Sequence, residues 1–236
     1  MSRNLLCAFV LLGGFVASAT AGTIVGTFSM TGTVTVSPTT MIWNSDLAPT
    51  YTAQMFTLST GTGLYVNSSG QNTIDDLNIS VEPVGSLFTS TPFIIFDLPG
   101  GGPFPSTLDI DYIVPGNGTS ACNAAPAEPQ SCTPSNAGGS PFTFTNFSND
   151  TASTATWVFD GVTADGQDTW QAIFTAQFGE DFQTVLAGFG PGSPITSSYS
   201  VQVTVQTAPE PASFVLMGLG LCAVGTLRRL NRRGRS

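Results

Sequence analysis

From residue 23 to 36 the chain alternates. Ile24, Phe28, Met30, Val34 and Val36 fall on one side with Gly26 and Gly32, while Thr23, Thr27, Ser29, Thr31, Thr33 and Thr35 mainly fill the other. Successive side chains of a strand point to opposite faces, so a period of two marks a strand with one face buried and one face wet. The pattern returns over 109–114, 156–162, 170–178 and 199–206, with shorter candidates near residue 41 and over 54–58, 64–67, 77–81, 93–98 and 142–147. Short strands separated by Gly, Pro, Asn and Asp, with one plausible helix at 181–187 ended by Gly188, predict an all-β fold, an antiparallel β-sandwich that is jelly-roll-like. Phenylalanine, with 17 copies, supplies the core, as strand preference favours. Residues 115–141, dense in Pro, Gly, Ala, Ser and Asn, carry no strand pattern and read as a long surface loop.

Charge divides the chain more sharply than hydropathy does. Its six basic residues are Arg3, Arg228, Arg229, Arg232, Arg233 and Arg235; lysine and histidine are absent, and all but one of the 15 acidic residues lie between Gly22 and Ala208. No salt bridge can form within that body, so a buried carboxylate there needs N–H groups, hydroxyls, amides, water or a metal. Nucleic acid is excluded as a partner, because phosphate binding depends on Lys and Arg. Without His or Lys, Ser-His-Asp, Cys-His and Ser-Lys catalysis, Schiff bases and His-ligated metals are impossible. Only carboxylate pairs remain for a glycosidase, with Asp109 and Asp111, or Asp165 and Asp168, as candidates. Residues two apart share a strand face, and alternation alone explains Asp109 and Asp111 as the solvated side of an edge strand. Asp168-Thr169-Trp170 lacks the glycine of an aspartic protease motif. The body is therefore expected to have no catalytic residues.

The two ends read as targeting devices. Arg3, an apolar region from 5 to 19, and the small-x-small site Ala19-Thr20-Ala21 predict a secretory signal peptide at 1–21, handled by the Sec translocon and signal peptidase. Cys7 stands at the start of the apolar region, unlike the acylated cysteine of a lipoprotein. At the other end, Pro209-Glu210-Pro211 is followed by uncharged residues 212–227 and the arginines at 228, 229, 232, 233 and 235. The prolines hold Ala208 and Glu210 extended. Pro211 suits a first helical turn, and Glu210 suits the positive end of that helix. A membrane-inserted helix is predicted at about 211–227; its 16 uncharged residues would reach only ~24 Å of a ~30 Å hydrocarbon core. The Arg-rich end at 228–236 is placed in the cytoplasm by the positive-inside rule. This divides the chain into signal peptide, secreted domain at 22–207 and tail at 208–236.

The tail resembles that of the PEP-CTERM family of exported bacterial proteins, also named after an ice-binding protein C-terminus: a Pro-Glu-Pro box, a transmembrane stretch and an arginine-rich end. The resemblance implies processing by an exosortase, an inner-membrane cysteine transpeptidase of exopolysaccharide-producing Gram-negative bacteria. It implies a transient inner-membrane anchor with the body in the periplasm, then a place at the cell surface or in the extracellular matrix, with exopolysaccharide as a partner. Gln177-Phe178-Gly179-Glu180-Asp181 is similar to the Gln-Phe-x-x-Asp signature of a subgroup; physically it is a strand end running into a helical turn, with Asp181 as N-cap. The expected role is structural, at the surface or in a biofilm.

Several residues point to alternatives. Cys122 and Cys132 are expected to form a disulfide that staples the long loop in an exported chain; two thiols without histidine cannot complete a zinc site. No cofactor is required, and the one candidate ion is calcium, for which Asp160, Asp165 and Asp168 are the hard oxygen ligands around two Asp-Gly turns. Asp-Gly is also ordinary hairpin chemistry. A carbohydrate-binding surface would use Tyr65, Trp43 or Trp170 as aromatic platforms. An ice-binding face is suggested by Thr31, Thr33 and Thr35, a ladder that occurs once in the sequence.

Overall fold

The computed structural model describes residues 24–43, 54–63, 72–96, 107–136, 138–190 and 192–208, and its strand-built unit is Thr23–Thr207. The expected signal peptide with Ala19 and Ala21, the strand candidate at 64–67 and the tail from Pro209 onward lie outside the described residues. Among the described residues no helix is long and apolar enough to cross a membrane.

Twelve strands follow in order: β1 Ile24–Val36, β2 Thr40–Trp43, β3 Gln54–Gly63, β4 Asn72–Ile74, β5 Leu77–Asn78, β6 Thr91–Phe96, β7 Thr107–Ile113, β8 Ser131–Cys132, β9 Thr143–Phe147, β10 Ala152–Thr163, β11 Asp168–Phe178 and β12 Ile195–Thr207. Among the described residues one helix, α1, spans Phe182–Ala187. The expected all-β antiparallel class is what is found. Hydrogen-bonded neighbours run β11-β12-β1-β3-β4-β6-β7-β10, and β10 also pairs with β11, so the sheet curls round and closes. With the short strands β2, β5, β8 and β9 set aside, neighbours follow chain order, and β12 joins back to β1. This is a closing meander, where a jelly roll would need the return connections of a Greek key. The first and last strands, β1 and β12, pair from Ile24↔Gln206 to Val36↔Ile195.

Alternation explains the packing. Along β10 every second residue is buried, from Ser153 through Ala155, Trp157, Phe159 and Gly161 to Thr163. The inward side chains meet across an aromatic layer centred on Trp43, whose ring lies 5.0 Å from Phe174, 5.1 Å from Tyr199 and 5.9 Å from Phe93. Phe93 in turn stacks on Trp170 at 6.1 Å, and Phe28 meets Phe96 edge-on at 5.3 Å. Strands β1, β11 and β12 thus face β6 across the core, as the two layers of a sandwich do. Each such ring removed from water stabilises the fold by about 1.5–3 kcal/mol, with edge-on and stacked contacts adding to it.

The departures from expectation have local causes. Ile24 is 61% exposed, because the β1–β12 register slips between Ile24 and Gly26 and turns it out of the core. The long loop does contain a strand: β8 pairs Ser131 with Thr145 and Cys132 with Phe144. Strand β4, too short to show a period, bridges β3 and β6.

Candidate functional site

The aromatic interior forces the alternate residues outward, and the sheet register lines them up. Asp160 of β10 pairs with Gln171 of β11, Gln171 with Thr204 of β12, Thr204 with Thr27 of β1, and Thr27 with Thr62 of β3. Gln171 Nε2 donates to Asp160 Oδ1 at 2.9 Å, and the hydroxyls of Thr27 and Thr62 lie 2.8 Å apart. A polar row therefore crosses five strands. Beside it, Thr31 and Thr33 face Ser200 and Ser198, and the Thr35 hydroxyl lies 2.8 Å from that of Thr196. The threonine ladder of β1 is thus continued by hydroxyls of its neighbour. Register, which sets that alignment, is absent from the sequence; the Thr196, Ser198, Ser200, Gln202, Thr204, Gln206 alternation is its one signal.

At the β10 end the row opens into a groove of about 410 Å³ whose lining includes Asp111, Tyr112, Asp160, Gln171, Thr204 and Gln206. Its wall is made by a bulge. Asp160 pairs with Tyr112 but Gly161 pairs with Ile110, so Asp111 is the extra residue of β7 and is turned toward the groove. Burial, and then the nearby charge of Asp160, push the Asp111 carboxyl above the usual carboxylate range. Gly161 is required here, since a Cβ would run into the Asp109 carbonyl and come within 2.7 Å of the Trp170 indole. That indole donates to Asp109 O at 2.9 Å and to Val162 O at 3.1 Å.

Trp170 is consequently no exposed platform; it is 2% exposed, and Trp43 is 0% exposed. Both act in the core because they occupy inward positions, and Tyr65 lies outside the described residues. Besides an edge of buried Trp170, the aromatic side chain lining the groove is Tyr112, displaced outward by the bulge. Asp109 lies between buried Leu108 and Ile110, and burial raises its carboxyl. It pairs with Val162 and Pro92 rather than with Asp160.

The three aspartates expected to bind calcium are not brought together. Asp165 accepts from Thr163 Oγ1 at 2.6 Å and from the Gln167 N–H at 3.1 Å, bonds that hold its carboxyl below the usual range. Burial and the charge of Asp165 raise Asp168, whose N–H donates to Thr163 Oγ1. Gly166, with φ of 68°, completes a hairpin turn. Asp160 is instead bonded to Gln171 at the groove. Among the described residues no group of three or more His, Cys, Asp or Glu is placed to hold a metal ion.

At the opposite end of the β10–β11 hairpin lies a structural cluster. Cys122 and Cys132 form a disulfide. Asp181 caps α1, accepting from Thr184 N at 2.8 Å and from Thr184 Oγ1 at 2.9 Å. Asn146, 1% exposed, accepts from Phe182 N at 2.9 Å and donates to Gln183 Oε1 at 3.0 Å. Gln183 donates in turn to Gln130 Oε1 and Ala124 O. These amides tie the stapled loop to α1, a role the sequence does not signal.

Beyond the closed sheet, residues 207–233 match the family model described as the PEP-CTERM protein-sorting motif. No curated protein and no solved structure gives a significant match to the chain. A β unit joined to such a motif defines an exported protein that carries a membrane-anchored tail before processing, with an exosortase as its processing partner. The chain carries a PEP-CTERM sorting motif at 207–233, which marks it as an exosortase-targeted exported surface protein.

Proposed function

We propose that the unit at 22–207 is a non-enzymatic structural component of the extracellular matrix of a Gram-negative biofilm, working without a cofactor. One observation carries this reading: the outward rows of the sheet are mainly hydroxyl, amide and carboxylate, on a body with no lysine, arginine or histidine. Such a surface can bind through many hydrogen bonds, while its net negative charge keeps copies apart. Exosortase processing removes the arginines at 228–236 and leaves a polyanion. Expressing the protein with and without its exosortase, then fractionating the biofilm and taking intact masses, tests the reading. The processed form, ending near Pro209-Glu210-Pro211, is expected in the matrix fraction. Recovery of the processed protein solely as a free species in the medium, with biofilm cohesion unchanged by gene deletion, overturns it.

A further inference from the structure

We infer that the groove beside Asp111 and Asp160, with the polar row leading out of it, binds an uncharged polysaccharide, a partner assignment that rests on the matrix reading above. The groove's volume of about 410 Å³ falls within the roughly 300–1,000 Å³ of ligand sites. Its lining is the complement of a polyol. Asp111 and Asp160 accept hydrogen bonds, whereas Gln171, Gln206 and Thr204 both donate and accept. Carboxylate acceptors strengthen hydroxyl donation from a ligand. Tyr112 and Leu87, the latter 78% exposed, add apolar surface for the C–H face of a sugar ring.

Direction comes from the register. The Asp160, Gln171, Thr204, Thr27, Thr62 row crosses β10, β11, β12, β1 and β3, about 19 Å at ~4.8 Å between strands. A linear chain can leave the groove and remain in contact with hydroxyls. The bonds from Gln171 to Asp160 and between Thr27 and Thr62 hold the row before a ligand arrives, which lowers the ordering cost of binding.

Charge selects the class of glycan. Carboxylates line the groove and the unit has no cationic side chain, so a uronate or sulfate would be repelled with no side chain to compensate. Neutral sugars meet no such penalty.

The test is affinity electrophoresis of the exported, processed protein through native gels containing dextran, xylan or laminarin, with alginate and chitosan as charged comparisons. Retardation by at least one neutral polymer, insensitive to added salt, is expected. Gln171→Ala and Asp111→Asn should each weaken it about tenfold, the scale of one lost hydrogen bond to a charged or paired group. Melting temperatures no lower than that of the wild type would show that both variants are folded. No retention by any neutral polymer overturns the inference, as does binding to chitosan alone that salt abolishes, or retention undiminished in the variants. Protein that reaches the matrix yet binds no neutral glycan sinks the groove and leaves the matrix role standing. Protein that binds a neutral glycan but stays in the medium has the reverse meaning.

Discussion

Beside the start of β10, the amide of Asn146 on β9 is buried and bonded through both its groups, to Phe182 N and Gln183 Oε1; at the far end Gln171 makes a similar amide bond to Asp160 in the open. The first end is closed by α1, the disulfide and a chain of amides. The second is a tight turn through Gly166 beside a groove. One hairpin thus has at one end a polar network that holds the fold together and at the other a polar network left facing solvent. What separates them is cover: a buried amide that loses its partner pays full desolvation, while an exposed one reverts to water. Polar residues at the covered end should therefore govern stability, and those at the groove end should govern binding.

The largest expected effect lies at the covered end. Asn146→Ala leaves Phe182 N–H and Gln183 Oε1 without their partners and opens a void, and unfolding in urea should show a loss of about 3–4 kcal/mol. A loss under about 1 kcal/mol would mean that water enters and the two ends do not differ. Replacing both cysteines, Cys122→Ser with Cys132→Ser, releases the loop stapled to that end and should reduce stability by about 3 kcal/mol in the same assay. Heating the oxidised and reduced wild-type protein gives an independent check.

At the groove end a glycine should matter more than any polar side chain. Gly161→Ala forces a methyl against the Asp109 carbonyl and the Trp170 indole, an overpacking expected to destabilise by about 1–3 kcal/mol. Gln171→Ala, by contrast, should stay within about 0.5 kcal/mol of wild type by chemical denaturation, as an exposed substitution does. A large loss there would make the polar row part of the fold rather than a surface.

How much of this was legible follows from the same difference. The strands of β1, β10, β11 and β12 are readable because inward Phe, Trp and Val alternate with outward Thr, Ser and Gln, and a period needs no tertiary information. The Asp181 cap and Gly188 end of α1 are readable because capping is local. Asp160 shows why the site is not. Chain proximity groups it with Asp165 and Asp168, but pairing across the sheet and a bulge in β7 group it with Asp111, Tyr112 and Gln171. Trp43 and Trp170 fail in the same way: composition marks them as aromatic, and only the inward parity of their strands makes them core.

The smallest effect should appear in the pH dependence. Burial raises the carboxyls of Asp109, Asp111 and Asp168, and Asp76 as well, above the ordinary value of 3.8. A raised folded-state pKa means that the native protein takes up protons before the unfolded chain does, so stability grows as pH falls through the window just above 3.8. Hydrogen bonds from Thr163 and Thr184 lower Asp165 and Asp181; their contribution is full above 3.8 and disappears as pH falls below it. With no basic side chain in the unit, protonation also relieves self-repulsion. The melting temperature should therefore rise on going from about pH 7 to about pH 4.5 and fall again below about pH 3. Asp111→Asn should reduce the rise, to which Asp76, Asp109 and Asp168 also contribute, and leave the acid limb alone; Asp165→Asn should weaken the acid limb and, by removing the charge that raises Asp168, trim the rise slightly. If Asp111→Asn left the rise intact, the groove carboxylates would be too well solvated to feel each other, and the groove end would be plain surface.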